Sequence, residues 1–205
     1  MYRIRNNLVL GFHGCDESVR DDIINRRKPF LPSTNNYDWL GNGMYFWENN
    51  YTRAYDWAVE AKKKPQNTKQ VIEKPSVLGA IISLGYCLDL LESDGIQELK
   101  ASYSVLEADC QRRNEALIQN RSCKGSDETL LRVLDCAVIE MLHKMREKIE
   151  EKPYDSVRAV FFEGNVAYPT AGFREKNHIQ LCIRNPNCIK GFFIPLDNNA
   201  SYPRV

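Results

Sequence analysis

The sequence predicts an α+β fold, with a sheet core drawn from both ends of the chain and a helical insertion between them. Two observations predict it. Short apolar runs bounded by Gly, Pro, Asn and Ser cluster near the two ends, whereas residues 96–152 repeat apolar side chains every three or four positions.

Leu8–Phe12 reads as a short buried strand, and Asp16–Arg27 follows with Val19, Ile23 and Ile24 on one helical face. Pro29–Asn42 is rich in loop-forming residues, and Met44–Trp47 resumes as a strand. Asn50–Lys64 places Ala54, Trp57, Ala58 and Ala61 at helical spacing before a lysine run and Pro65 end it. Val77–Leu84 is a strongly apolar strand that runs on into Gly85–Leu90.

In the insertion, the spacing of Ser104 and Glu107 fits a capping box at the start of a first helix. A second helix spans about Glu128 to Glu150, and Gly125-Ser126-Asp127 separates the two. Its apolar stripe is Leu131, Leu134, Val138, Met141, Leu142, Met145 and Ile149, which leaves Cys136, Glu140, His143 and Glu147 on the opposite face. On that spacing His143 is a solvated residue, and the stripe packs on the sheet or on a partner such as an antitoxin or chaperone. Val157–Phe162, His178–Ile183 and Cys188–Ile194 are the closing strands, the last two forming a hairpin across Arg184-Asn185-Pro186-Asn187.

With 205 residues, 43% of them hydrophobic, the chain can bury one sizeable core, so residues 1–205 are expected to form a single domain. Lys and Arg (28) nearly balance Asp and Glu (27), which excludes a global field that would draw the protein onto nucleic acid or an anionic membrane. The seven cysteines are scattered, with no C-x-x-C pair to seed a zinc site, and read as reduced thiols of a cytoplasmic protein without a bound metal. The first residues hold too few apolar side chains for a signal peptide or a membrane span. Walker, H-E-x-x-H, Rossmann and G-x-S-x-G motifs are absent from the sequence.

Chemistry concentrates in Gly11-Phe12-His13-Gly14 and Gly41-Asn42-Gly43-Met44-Tyr45-Phe46, each of which joins glycine to a strand-like run. A third segment, Leu84-Gly85-Tyr86-Cys87-Leu88-Asp89-Leu90, follows them in order. Together these resemble the signature elements of the NAD-binding ADP-ribosyltransferases of the diphtheria-toxin and poly(ADP-ribose) polymerase type. The resemblance implies two antiparallel sheets that form a cleft for NAD, the co-substrate.

Carried over residue by residue, the resemblance implies that His13 holds an NAD ribose hydroxyl and that the backbone of Gly14 bonds the nicotinamide carboxamide. Tyr45 would stack on the nicotinamide ring, and Tyr55, with Trp57 next to it, would close the ring's other face. Arg26, Arg27 and Lys28 lie where the pyrophosphate could be held. At the third motif position the chain departs from the family, because Gln180 stands in place of the catalytic glutamate. An amide can bond and orient a ribose hydroxyl, but it supplies neither negative charge nor a general base.

Three routes are therefore open: Gln180 suffices for transfer to a nucleophilic acceptor, an acid such as Glu163 or Glu175 substitutes, or NAD binds without turnover. His178 shares the face of Gln180 if their strand is regular. The resemblance favours a mono-ADP-ribosyltransferase acting on a protein, RNA or DNA acceptor, with a size that suits a bacterial toxin or phage-defence effector. A non-catalytic module for NAD or ADP-ribose and an NAD-dependent RNA 2′-phosphotransferase are the alternatives.

Overall fold

The computed structural model describes residues 4–65, 71–122 and 131–196, with backbone alone for residues 4–7. In chain order the elements are β1 (Ile4–Asp16), α1 (Glu17–Ile24), β2 (Met44–Glu48), α2 (Tyr51–Lys63), β3 (Pro75–Asp89), α3 (Ser93–Arg112), α4 (Val133–Lys148), β4 (Ser156–Phe161), β5 (His178–Ile183) and β6 (Ile189–Phe193). The α+β class and the helical insertion follow the sequence reading. The anticipated pair of antiparallel sheets does not: all six strands join one mixed sheet of order β1-β2-β5-β4-β3-β6, in which β3 and β4 run parallel.

Pairing of β1 with β3 closes β1, β2, β5, β4 and β3 into a circuit. Met44 and Phe46 of β2, Ala80 and Ile82 of β3, and Leu181 and Ile183 of β5 meet in one buried cluster, so this face points inward. Arg158 of β4 bridges Glu48 of β2 at 2.6 Å and Asp89 of β3 at 3.1 Å on the same face. Of the remaining strand, β6 pairs with β3 and not with β5, because the short helical turn Pro186–Cys188 carries the chain across to the other side of the sheet. The expected terminal hairpin is thus absent.

The helices cover the outer face and the ends. Asp16 caps α1, accepting from the Ser18 amide at 3.0 Å, while its other oxygen takes the amides of Glu73 and Lys74. Burial opposes ionisation of Asp16, but these hydrogen bonds outweigh it and hold its pKa at about 2. Asn50 caps α2 by accepting from the Arg53 amide at 2.9 Å, and Lys62 and Lys63 complement its negative end. Ala54 of α2 packs with Phe12, Trp47 and Val77 on the outer face of the sheet.

Two features of the insertion differ from expectation. α3 starts at Ser93, so Ser104 lies within the helix and donates to the Lys100 carbonyl rather than capping anything. In α4 the buried residues are Cys136, Val138, Ile139, Leu142, His143 and Arg146, whereas Ile149 is 65% exposed. The stripe is rotated because α4 answers to two neighbours: Ser102 of α3 donates to the Val138 carbonyl at 2.7 Å, and Ile139 and Leu142 pack with Leu40, Tyr154 and Val157. His143 is therefore a core residue set edge-on to Tyr154, and Arg146 stacks over the Tyr154 ring. Gly125-Ser126-Asp127, Cys123 and the first residues of the expected second helix lie outside the described residues. Six cysteines within them are free thiols.

Candidate active site where β1 and β2 part

β1 and β2 pair only at Gly11 with Glu48 and Phe12 with Trp47. Beyond that point the rung is supplied by a side chain: His13 Nδ1 lies 2.9 Å from the carbonyl oxygen of Tyr45. A carbonyl only accepts, so Nδ1 carries the proton and Nε2 keeps its lone pair. Burial lowers the pKa of His13, partly opposed by the bond to Tyr45, and keeps the ring neutral. A neutral Nε2 acceptor is suited to a hydroxyl donor.

The motif residues reach neighbouring strands. Tyr45 is paired with Cys182, and Trp47 with Gln180, so the segments around residues 13, 45 and 180 occupy β1, β2 and β5 in succession. Their side chains divide between the two faces. His13 contacts Phe30 at 4.8 Å and Phe46 at 6.1 Å, and Phe46 belongs to the inward cluster. Tyr45 packs outward with Leu40, Ile139 and Cys182. Gln180 alternates with the inward Leu181 and so also faces outward, where it accepts from the Trp39 indole.

Tyr45 is fixed at both ends. Its hydroxyl donates to the Gly41 carbonyl at 2.6 Å and accepts from the Leu40 amide at 3.1 Å. Burial raises its pKa well above the ordinary value, with Cys182 and Asp38 adding to the rise. The Gly41–Gly43 turn is held in turn by Glu140, which accepts from the Asn42 amide at 2.8 Å and pairs with Arg184 at 2.6 Å. Gly41 has φ +78°, a left-handed conformation that glycine adopts without strain.

Other expected site residues are placed as follows. Gly14 lies under α2: a Cβ there would collide with the Ala54 carbonyl oxygen, so its lack of a side chain lets the helix approach. Tyr55 is 40% exposed and stacks on Tyr51, with ring centroids 6.2 Å apart, whereas Trp57 packs on Trp47. Arg27 and Lys28 pair with Asp22 on α1. Glu163 is not a solvated loop residue, because both its oxygens accept from Arg53 Nη2 at 2.7 Å. Glu175 is exposed and accepts from Asn165 at 3.3 Å. His178 does face the way of Gln180, lying 5.3 Å from Phe161 and 6.0 Å from Trp47. Its pKa is lowered by burial, with the Lys176 carbonyl opposing.

Trp39 and Arg53 were missed in the sequence. Trp39 sits in a stretch read only as loop. Arg53 carried a faint signal: it stands four residues before Trp57, next to Ala54 on the buried face of α2. Among the described residues there is no group of three or more His, Cys, Asp or Glu side chains able to hold a metal, and no helix is long and apolar enough to cross a membrane.

No protein-family profile and no solved structure matches the chain. It is similar to the uncharacterized protein MJ0359 of Methanocaldococcus jannaschii, with 25% identity over 195 aligned positions that cover 87% of this chain and 83% of the relative.

Proposed function

We infer that the protein is a mono-ADP-ribosyltransferase that uses NAD and transfers ADP-ribose to a protein or nucleic-acid acceptor. The observation that carries this reading is the split between β1 and β2, spanned by the bond from His13 to Tyr45. His13 faces inward and Gln180 outward on β5, so a dinucleotide held by both would have to pass from one face of the sheet to the other at that split. His13 Nε2 would accept from a ribose hydroxyl, and the Gln180 amide, turned by Trp39, would orient the nicotinamide ribose.

Phe30 packs on His13, so the connection between α1 and β2 must shift for the ligand to enter. The reaction would break the nicotinamide glycosidic bond and join the ribose carbon to an acceptor oxygen or nitrogen, with the acceptor's proton leaving to solvent. Without a carboxylate at position 180, one transfer to a ready nucleophile is favoured over chain elongation. A small toxin or defence effector is the setting that suits such a chain.

One observation favours a second reading. The Gln180 oxygen is already bound to the Trp39 indole, as befits a non-catalytic module for NAD or ADP-ribose. Nicotinamide release from NAD by the purified protein, with and without cell extract, separates the two. Release establishes a transferase or hydrolase, saturable binding without release establishes the module, and neither result removes NAD from the account.

A further inference from the structure

On the outer face, β2, α2 and the second residue after β4 bring Trp47, Arg53 and Glu163 together near His178. Arg53 and Trp47 are each only 6% exposed. The guanidinium carbon lies 5.8 Å from the centre of the Trp47 ring. Glu163 engages a single nitrogen of the guanidinium, Nη2. Arg53 Nε, Arg53 Nη1 and Trp47 Nε1 are buried and have no hydrogen-bond partner among the described residues.

A buried donor without an acceptor costs about 1–3 kcal/mol, and more when the group is charged. Several such donors in one place, all of them N–H groups, call for oxygen atoms that the described residues do not supply. Arg53 also holds one positive charge against one carboxylate, so exchange of Glu163 for a singly charged anionic group leaves the buried charge balance unchanged.

We propose that Arg53 and Trp47 form a binding site for an oxyanion, the carboxylate or phosphate group of a small ligand, which exchanges with the carboxylate of Glu163. Guanidinium suits both chemistries because its planar donors match paired oxygens. Glu163 lies on the exposed excursion from β4 to β5, whose main chain is held by the Lys176 amide donating to the Glu163 carbonyl at 3.0 Å and by a bridge between Val166 and Arg174, so exchange requires only the Glu163 side chain to move. His13 and Tyr45 take no part in this site, but Glu163 is also a candidate acid for the NAD reaction and Gln180 is the cross-strand partner of Trp47, so the probes are simple anions without NAD, whose binding succeeds or fails whatever NAD does.

The test is thermal unfolding and calorimetric titration with inorganic phosphate, pyrophosphate, acetate and succinate, each against sodium chloride at equal ionic strength. Glu163→Gln removes the internal competitor and leaves Arg53 without its counter-ion. It should melt lower than the wild type, recover on adding the preferred anion, and bind that anion at least about tenfold more tightly, which corresponds to 1.4 kcal/mol. Arg53→Gln should abolish the response. Trp47→Phe, which keeps the ring and loses the N–H, should weaken binding severalfold and guards against an Arg53 variant that fails to fold. Phosphates and carboxylates, compared side by side, identify the source of the oxyanion. The proposal is overturned if neither wild type nor Glu163→Gln shows a saturable response beyond the chloride control, or if the response is unchanged in both Arg53→Gln and Trp47→Phe.

Discussion

His13 donates through Nδ1 to the main-chain oxygen of Tyr45 at 2.9 Å, standing in for the backbone rung where β1 leaves β2. One side chain thus satisfies a strand carbonyl and fixes its own tautomer. His13→Ala should destabilise the fold by about 1–3 kcal/mol through the orphaned carbonyl, and should weaken NAD binding at least tenfold. Calorimetry checks the second part. Unchanged NAD affinity in a folded His13→Ala protein would remove His13 from the ligand site.

Tyr45 offers a cleaner separation of fold from ligand. Tyr45→Phe keeps the ring but leaves the Leu40 amide and the Gly41 carbonyl without the hydroxyl that joins them. A loss of about 1–3 kcal/mol in stability is expected from those two groups, with NAD affinity kept within a few-fold if stacking is the contribution of Tyr45. Denaturant unfolding and NAD titration on the same preparation decide it. A large affinity loss in Tyr45→Phe would mean that the hydroxyl, not the ring, meets the ligand.

Acid should unfold the protein over a window set by its histidines. His13, His143 and His178 all have pKa values lowered chiefly by burial, His143 from 6.5 to about 4. Each is neutral when folded and takes up a proton on unfolding below its unfolded pKa. Their stabilising contribution is therefore full above about pH 6.5 and is lost as pH falls towards the folded values. For His143 the effect is on the order of 3 kcal/mol by pH 4. Unfolding midpoints measured from pH 7.5 to pH 4.5 should fall steadily, and the fall should be shallower in His143→Gln. A flat profile in the wild type would show that these rings are not held neutral.

The sequence resolved what depends on local period and little of what depends on contact. β5 was legible from His178 to Ile183 because its apolar alternation and the turn after it are local signals. His143 was misread for the opposite reason: spacing alone defines a stripe, but α3 and Tyr154 together decide which flank of α4 is covered. At the site, the glycines and the aromatic run announced a close approach without saying of what. Gly14 turned out to admit α2, and the Arg53 pair with Glu163 joins residues 110 positions apart that no local pattern connects.

The final prediction concerns Gln180, whose amide is oriented by Trp39 on the outward face of β5. A neutral amide that positions the ribose should matter more for the chemical step than for NAD binding. Loss of a contact made in the transition state lowers kcat and kcat/KM together, whereas loss of uniform binding mainly raises KM. Gln180→Ala should thus reduce nicotinamide release by at least about tenfold, or 1.4 kcal/mol, with NAD affinity nearly kept. Trp39→Phe, which removes the orienting N–H but keeps an aromatic ring beside Phe161, should give a smaller loss in the same direction. The same assay on Glu175→Gln tests for a displaced acid on the β4–β5 excursion. Full activity in Gln180→Ala together with collapse in Glu175→Gln would move the third catalytic position off β5 and undo the correspondence with the transferase glutamate.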